Sequence, residues 1–198
     1  MSGVDSSALI EQLCVAFPEA GVTLLTNPGA AAQNSILIEP DDLLEVLKHV
    51  RDTPGMAFDL LSCVTGVDWM DATVADAVAL PEDESQTTRE GGFFEVIYQL
   101  FSTIRRVGPL TLRVRTGDRG ENVEVPSVVP IFRSAEFQER EIFDLYGVKF
   151  TGHPDLRRIL MWDEFVDFPM RKDYVEPDDY EYEPTPHDTV LEKAKKHY

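Results

Sequence analysis

Fourteen charged residues and one histidine crowd between positions 139 and 173, and ten of these fifteen are the candidates for chemistry or contact: Glu139, Arg140, Glu141, Asp144, His153, Arg157, Arg158, Arg171, Lys172 and Asp173. Such side chains can move protons, bind anions, hold a metal or seal a contact between chains. Paired acid–base work is poorly served, because Glu139 and Glu141 stand two apart and fall on different sides of a helix. The chain has no Gly-x-Gly-x-x-Gly after a strand, no P-loop, no His-Glu-x-x-His and no nucleophile elbow. No catalytic, cofactor-binding or metal-binding residue is therefore assigned. A free-standing enzyme using His153 with Asp155 or Glu139 at a metal stands as the remote alternative. Arg157 and Arg158, followed by the apolar run Ile159 to Trp162, call for planar anionic partners that no single helix here supplies. The expectation is a surface of guanidinium, imidazole and carboxylate groups that neighbouring polypeptides satisfy.

The elements that position these groups are legible. Ser134 suits an N-cap, Glu136 lies in a first turn, and Gly147 falls where a left-handed residue ends a helix, so a helix is expected from about Ser134 to Tyr146. On it Glu136, Arg140 and Asp144 recur every four residues as a charge ladder, and apolar Phe137, Ile142, Phe143, Leu145 and Tyr146 fill most of the rest. So little plain polar surface implies a helix covered on more than one side. His153-Pro154 then specifies a bend.

Read together, these residues resemble the C subunit of the NADH:quinone oxidoreductase, respiratory complex I. The family's signature is similar to Glu139-Arg140-Glu141, Asp144, His153, Arg157 and Ile159-Leu160 at the spacing found here. Further likeness lies in Gly152 to Leu160, in Pro169-Met170-Arg171-Lys172-Asp173-Tyr174, and upstream in Phe58 to Asp68. Phe137 replaces a usual Trp and Met170 a usual Leu, both keeping apolar bulk. The resemblance implies a non-catalytic structural subunit of the peripheral arm, supporting electron flow from NADH to quinone. It implies that FMN and iron–sulfur clusters reside on other subunits, that the D, B and I subunits are the partners, and that the ten charged residues form the interface with them. The place implied is the cytoplasmic side of a bacterial plasma membrane, held there through the complex. The equivalent subunit of a membrane-bound hydrogenase or formate-linked complex is the nearer alternative.

Composition narrows the rest. At 198 residues with net charge -18, the chain repels nucleic acid and anionic headgroups, and is long enough to bury roughly 70% of its unfolded surface. No apolar run reaches a bilayer span, and Met1 to Ile10 lacks the basic and hydrophobic regions of a secretory leader, so a soluble intracellular protein is expected. Cys14 and Cys63, 49 positions apart, cannot alone ligate a cluster and are expected in the core.

The fold class expected is α+β, a mixed sheet packed with helices and followed by an extended C-terminal tail. Helices are read from Ser6 or Ser7 to before Pro18 and from Asp41 to before Pro54, the second with His49 favoured at its C-terminus. Strands are read at Val22 to Thr26, Ser35 to Ile38, Phe58 to Thr65 (central, covered on both faces), Phe94 to Leu100 and Leu110 to Val114, with a further short one between Val123 and Ile131. Val107-Gly108-Pro109 is expected to join the hairpin, and Gly117 to Gly120 to form a turn. An acidic insertion occupies about 71–92. The domain division expected is 1–150 for the core and 151–198 for an extended partner-wrapping segment.

Overall fold

The computed structural model describes residues 6–27, 33–70, 92–120 and 123–175. In chain order they form α1 (Ser6–Ala16), β1 (Val22–Leu25), β2 (Ser35–Ile38), a 3-10 turn (Pro40–Asp42), α2 (Leu43–Asp52), β3 (Leu60–Trp69), β4 (Phe93–Ser102), β5 (Val107–Arg115), β6 (Glu124–Pro126), α3 (Ala135–Tyr146) and β7 (Lys149–Thr151). A five-stranded sheet runs β1-β2-β5-β4-β3, parallel only at β2/β5, and β6 pairs in parallel with β7. The mixed α+β class holds.

Register explains the core. Ile36 opposes Leu112, which opposes Tyr98, which opposes Val64, and the next row aligns Val114, Val96 and Gly66. These rows join Leu9 and Leu13 of α1, Val46, Leu47 and Val50 of α2, and Ile142 of α3 in one buried cluster. Gly66 eases the passage of α3 across the sheet, since a Cβ there would sit 3.0 Å from the Tyr146 ring and 3.1 Å from Ile142, and those side chains would have to give by a few tenths of an ångström.

Four sequence expectations change. β3 is an edge strand with alternating exposure, not a central one, because Leu60, Ser62 and Thr65 face solvent. Its outer edge is partly closed by α3: the Ser134 hydroxyl donates to the Leu61 carbonyl at 2.9 Å, and the Val64 N–H donates to Gln138 Oε1 at 2.6 Å. Ser134 consequently caps the sheet edge instead of its own helix, and its backbone is already helical. Val107-Gly108-Pro109 lies inside β5, the reversal being made at 103–106 with Arg106 at φ +58 and Asp59 accepting the Thr103 N–H. Cys14 is exposed, because Leu9 and Leu13 take the inward face of α1.

His49 is half-buried, edge-on to Phe17 at 5.2 Å. β7 straddles the boundary drawn at residue 150. The acidic insertion, except Gly92, and the tail beyond Val175 lie outside the described residues.

Candidate functional site

The C-terminal half of α3 ends at Gly147, at φ +79 in the left-handed region glycine favours. A helix leaves its last four carbonyls without intrahelical donors. Here each is met: Phe143 by the Gly147 N–H, Asp144 by Arg158 Nη1, Leu145 by the Met170 N–H and Tyr146 by Arg171 Nε at 2.7 Å. Both guanidinium groups thereby sit at the negative end of the helix dipole.

Asp144 is the centre of this arrangement. Its carboxylate is buried, accepts the successive backbone N–H groups of Ile159, Leu160 and Met161 at 3.0, 2.7 and 2.9 Å, and pairs with Arg158 at 2.7 Å. Burial works against its charge, but those four donors outweigh it and hold the carboxyl below the ordinary aspartate range. One turn earlier, Arg140 donates to the Arg157 and Arg158 carbonyls at 3.1 and 3.3 Å while lying over the Phe137 ring at 5.4 Å. The expected Glu136–Arg140–Asp144 ladder is therefore replaced by bonds to the 157–161 backbone, which offers better-placed partners than the next helical turn.

Glu139 and His153 lie on the inner side. Glu139 accepts the Ser127 hydroxyl at 2.6 Å and the Val128 N–H at 2.7 Å, and is fully buried. Burial lifts its carboxyl to about 7, the two donors pulling the other way. The His153 side chain is also fully buried, with Nε2 3.9 Å from Glu139. Its Nδ1 accepts the Asp155 N–H at 3.0 Å, so the ring proton lies on Nε2 and points to the Glu136 carbonyl at 3.0 Å.

A second tie joins the end of the segment to the sheet. Arg119 grips Asp68 of β3 with two hydrogen bonds, 2.6 and 2.7 Å, and reaches Asp173 at 2.8 Å. Asp68 also accepts the Lys172 N–H at 2.8 Å, and Arg171 lies over Phe94 and Phe168 at 4.8 and 4.6 Å. Arg119→Ala should cost about 2 kcal/mol, below the full penalty for a severed buried pair because the guanidinium keeps 17% exposure. Urea unfolding of Arg119→Ala, Asp68→Ala and the double variant checks this: a coupling energy near zero would mean the pair is incidental.

Sequence reasoning does not single out Arg119 and Asp68 as site residues. Asp68 closes the upstream family-like run, and Arg119 sits in what reads as a plain turn. The only signal is two charges in otherwise apolar or turn contexts.

The predicted residues are thus brought together, but largely inward. Glu139, Arg140, Asp144, His153 and Arg158 satisfy one another, or the backbone, within this chain. The expectation of a bare surface needing neighbours is corrected for these five, since each is buried or nearly so. Glu141, Arg157, Lys172 and Asp173 do face solvent; Arg157 pairs with Asp155 at 70% exposure, Asp173 with Arg119, and the Lys172 ammonium lies over Trp69. Arg171 is intermediate. Opposite the helices, buried Glu95 accepts from Trp69, Arg113 and Arg115, another internal ion cluster. Among the described residues no three His, Cys, Asp or Glu side chains converge as a metal site would need.

Fold and clasp together define a small α+β domain whose polar groups fasten its own C-terminal segment to the helix and sheet. It belongs to the family described as respiratory-chain NADH dehydrogenase, 30 Kd subunit, whose model matches residues 36–181. The chain is 40% identical over 138 residues to a C subunit, numbered 2, of the NADH-quinone oxidoreductase of Rhizobium etli, covering 69% of this chain and 62% of that relative. It is 39% identical over 136 residues to the C/D subunit of the NADH-quinone oxidoreductase of Bacteroides fragilis, covering 69% of this chain and 23% of that one. The chain spans about three fifths of the length of the first curated relatives it matches. Its fold is shared with a chain of an archaeal membrane-bound sulfane sulfur reductase, at TM-score 0.59 and 20% identity over 97% of this chain and 92% of that one.

Proposed function

We propose that this chain is a C subunit of a proton-translocating NADH:quinone oxidoreductase and serves as a non-catalytic structural part of its peripheral arm. Electrons pass from NADH through flavin and iron–sulfur clusters on other subunits to quinone; this chain holds neighbours in place. The observation that carries the reading is that in a family member the signature residues Glu139, Arg140, Asp144 and His153, with the adjoining Arg158, are spent on internal hydrogen bonds and leave no open acid–base or ligand set among themselves.

The D, B and I subunits are the proposed partners. The Bacteroides fragilis relative, whose name joins C and D and which is matched over only 23% of its length, supports adjacency to D, since a fusion is tolerated when the two parts already meet in one assembly. No helix among the described residues is long and apolar enough to cross a membrane, which is compatible with attachment on the cytoplasmic face through the complex.

Affinity purification of the full chain from native membranes tests this. Co-purified chains should include cluster-bearing subunits, and the preparation should oxidise NADH with a quinone acceptor. Hydrogenase- or formate-linked subunits in their place would transfer the reading to that alternative, and turnover by the purified chain alone would overturn the structural role.

A further inference from the structure

The segment that the clasp fastens displays an unusual outer surface. Leu160, Trp162, Val166 and Met170 are 56%, 53%, 93% and 52% exposed. One exposed apolar side chain needs no explanation, whereas four within eleven residues, one of them a tryptophan, give this stretch the apolar outer surface of a segment that meets another protein. Phe137, 62% exposed under Arg140, adjoins the start of this shelf because Arg140 also holds the Arg157 and Arg158 carbonyls.

The shelf is pre-built. Its backbone is fixed at 159–161 by Asp144 and at Met170 by the Leu145 carbonyl, while Arg158 reaches the Asp167 carbonyl at 3.1 Å. Beneath it, Phe165 packs edge-on to Trp162 at 4.8 Å and Arg158 lies over Phe165 and Phe168 at 5.5 and 5.2 Å. Little ordering entropy remains to be lost on docking.

Charge selects the occupant. Residues 159–170 carry Asp163, Glu164 and Asp167, all exposed, and no base. A second copy of this chain would set those carboxylates against their counterparts, and a net charge of -18 opposes both self-association and anionic lipid. We infer that Leu160, Trp162, Val166 and Met170 form a docking face for a neighbouring protein whose contact surface is apolar at its centre and rimmed by Lys or Arg. This rests on the proposed function, in which the chain works inside an assembly of several subunits. Arg140, Asp144 and Arg158 then act at one remove, holding the shelf in its docking shape.

The test replaces Trp162 and Val166 together by glutamate in the full-length tagged chain expressed in its native host. Thermal unfolding of the purified variant should stay within a few degrees of wild type, while the amount of each subunit that co-purifies with wild type falls at least tenfold. Should Trp162→Glu/Val166→Glu fail to fold, Val166→Glu alone carries the test, at the residue most open to water. Wild-type yields of those subunits with a folded variant would overturn the docking face and leave the functional proposal standing. A purified wild-type chain that dimerises, and that the substitution returns to monomer, would overturn it in favour of self-association. If the wild-type chain brings down no redox subunits at all, the functional proposal fails and the docking face falls with it.

Discussion

Replacing Asp144 by alanine is expected to destabilise the domain by about 3–5 kcal/mol, the cost of removing one partner from a buried charged network. The carboxylate accepts three consecutive backbone N–H groups and the Arg158 guanidinium, so its loss strands three backbone donors and leaves Arg158 with only the Asp144 and Asp167 carbonyls. In a domain of this size that is a fall of roughly 10 °C in melting temperature. The effect has a pH signature. A carboxyl held below its ordinary range contributes stability that is present above its unfolded value and lost as pH falls through the folded one, so the gap between wild type and variant should start to narrow once pH drops below about 4. Circular dichroism melts at pH 7 and pH 3 measure both differences. A loss below about 1 kcal/mol at pH 7 would show that the segment is held by its aromatic packing and not by Asp144.

The fold is readable where local rules act alone. Val46, Leu47 and Val50 on one helical face, the alternation along β4 and β5, and Gly147 at a helix end each follow from periodicity or φ preference within a few residues. What fails needs knowledge of a distant partner. Phe58 to Thr65 is apolar enough for a central strand, yet whether a strand is central depends on what pairs beside it; here α3 supplies side-chain hydrogen bonds in place of another strand.

The site shows the same division. The charged signature is found by residue type and spacing, but its direction is not, because an isolated sequence cannot tell a guanidinium facing a neighbour from one facing its own helix. Arg157 and Arg158 illustrate this. Adjacent in sequence, they part in space: Arg157 meets Asp155 in solvent, whereas Arg158 closes the end of α3. Substituting both and seeing assembly fail would confound two effects, so the docking question belongs to the apolar shelf and the stability question to Asp144.

Glu139 offers the other large effect, with the opposite sign. A carboxyl whose folded value is lifted by burial to about 7 contributes stability that is present below its unfolded value and is lost as pH rises through the folded one. Between roughly pH 4.5 and 7 the wild-type domain should therefore lose on the order of 3 kcal/mol through this group alone. The charged and titratable groups around it are His153, 3.9 Å away, and the buried Tyr98 hydroxyl, itself pushed up by burial and by Glu139; Arg140 next along the helix is turned to the 157–158 backbone. Neither neighbour supplies the close cation that would offset the cost of ionisation. Glu139→Gln keeps an acceptor for the Val128 N–H and turns an amide toward Ser127, whose hydroxyl oxygen can accept. The variant should match or fall slightly below wild type at pH 5 and exceed it at pH 8 by about 1–3 kcal/mol, with a flatter stability profile between. Guanidinium unfolding across that range decides it: a glutamine variant weaker than wild type at pH 8 would mean that the ionised carboxylate, held by Ser127 and Val128, is the form the fold prefers.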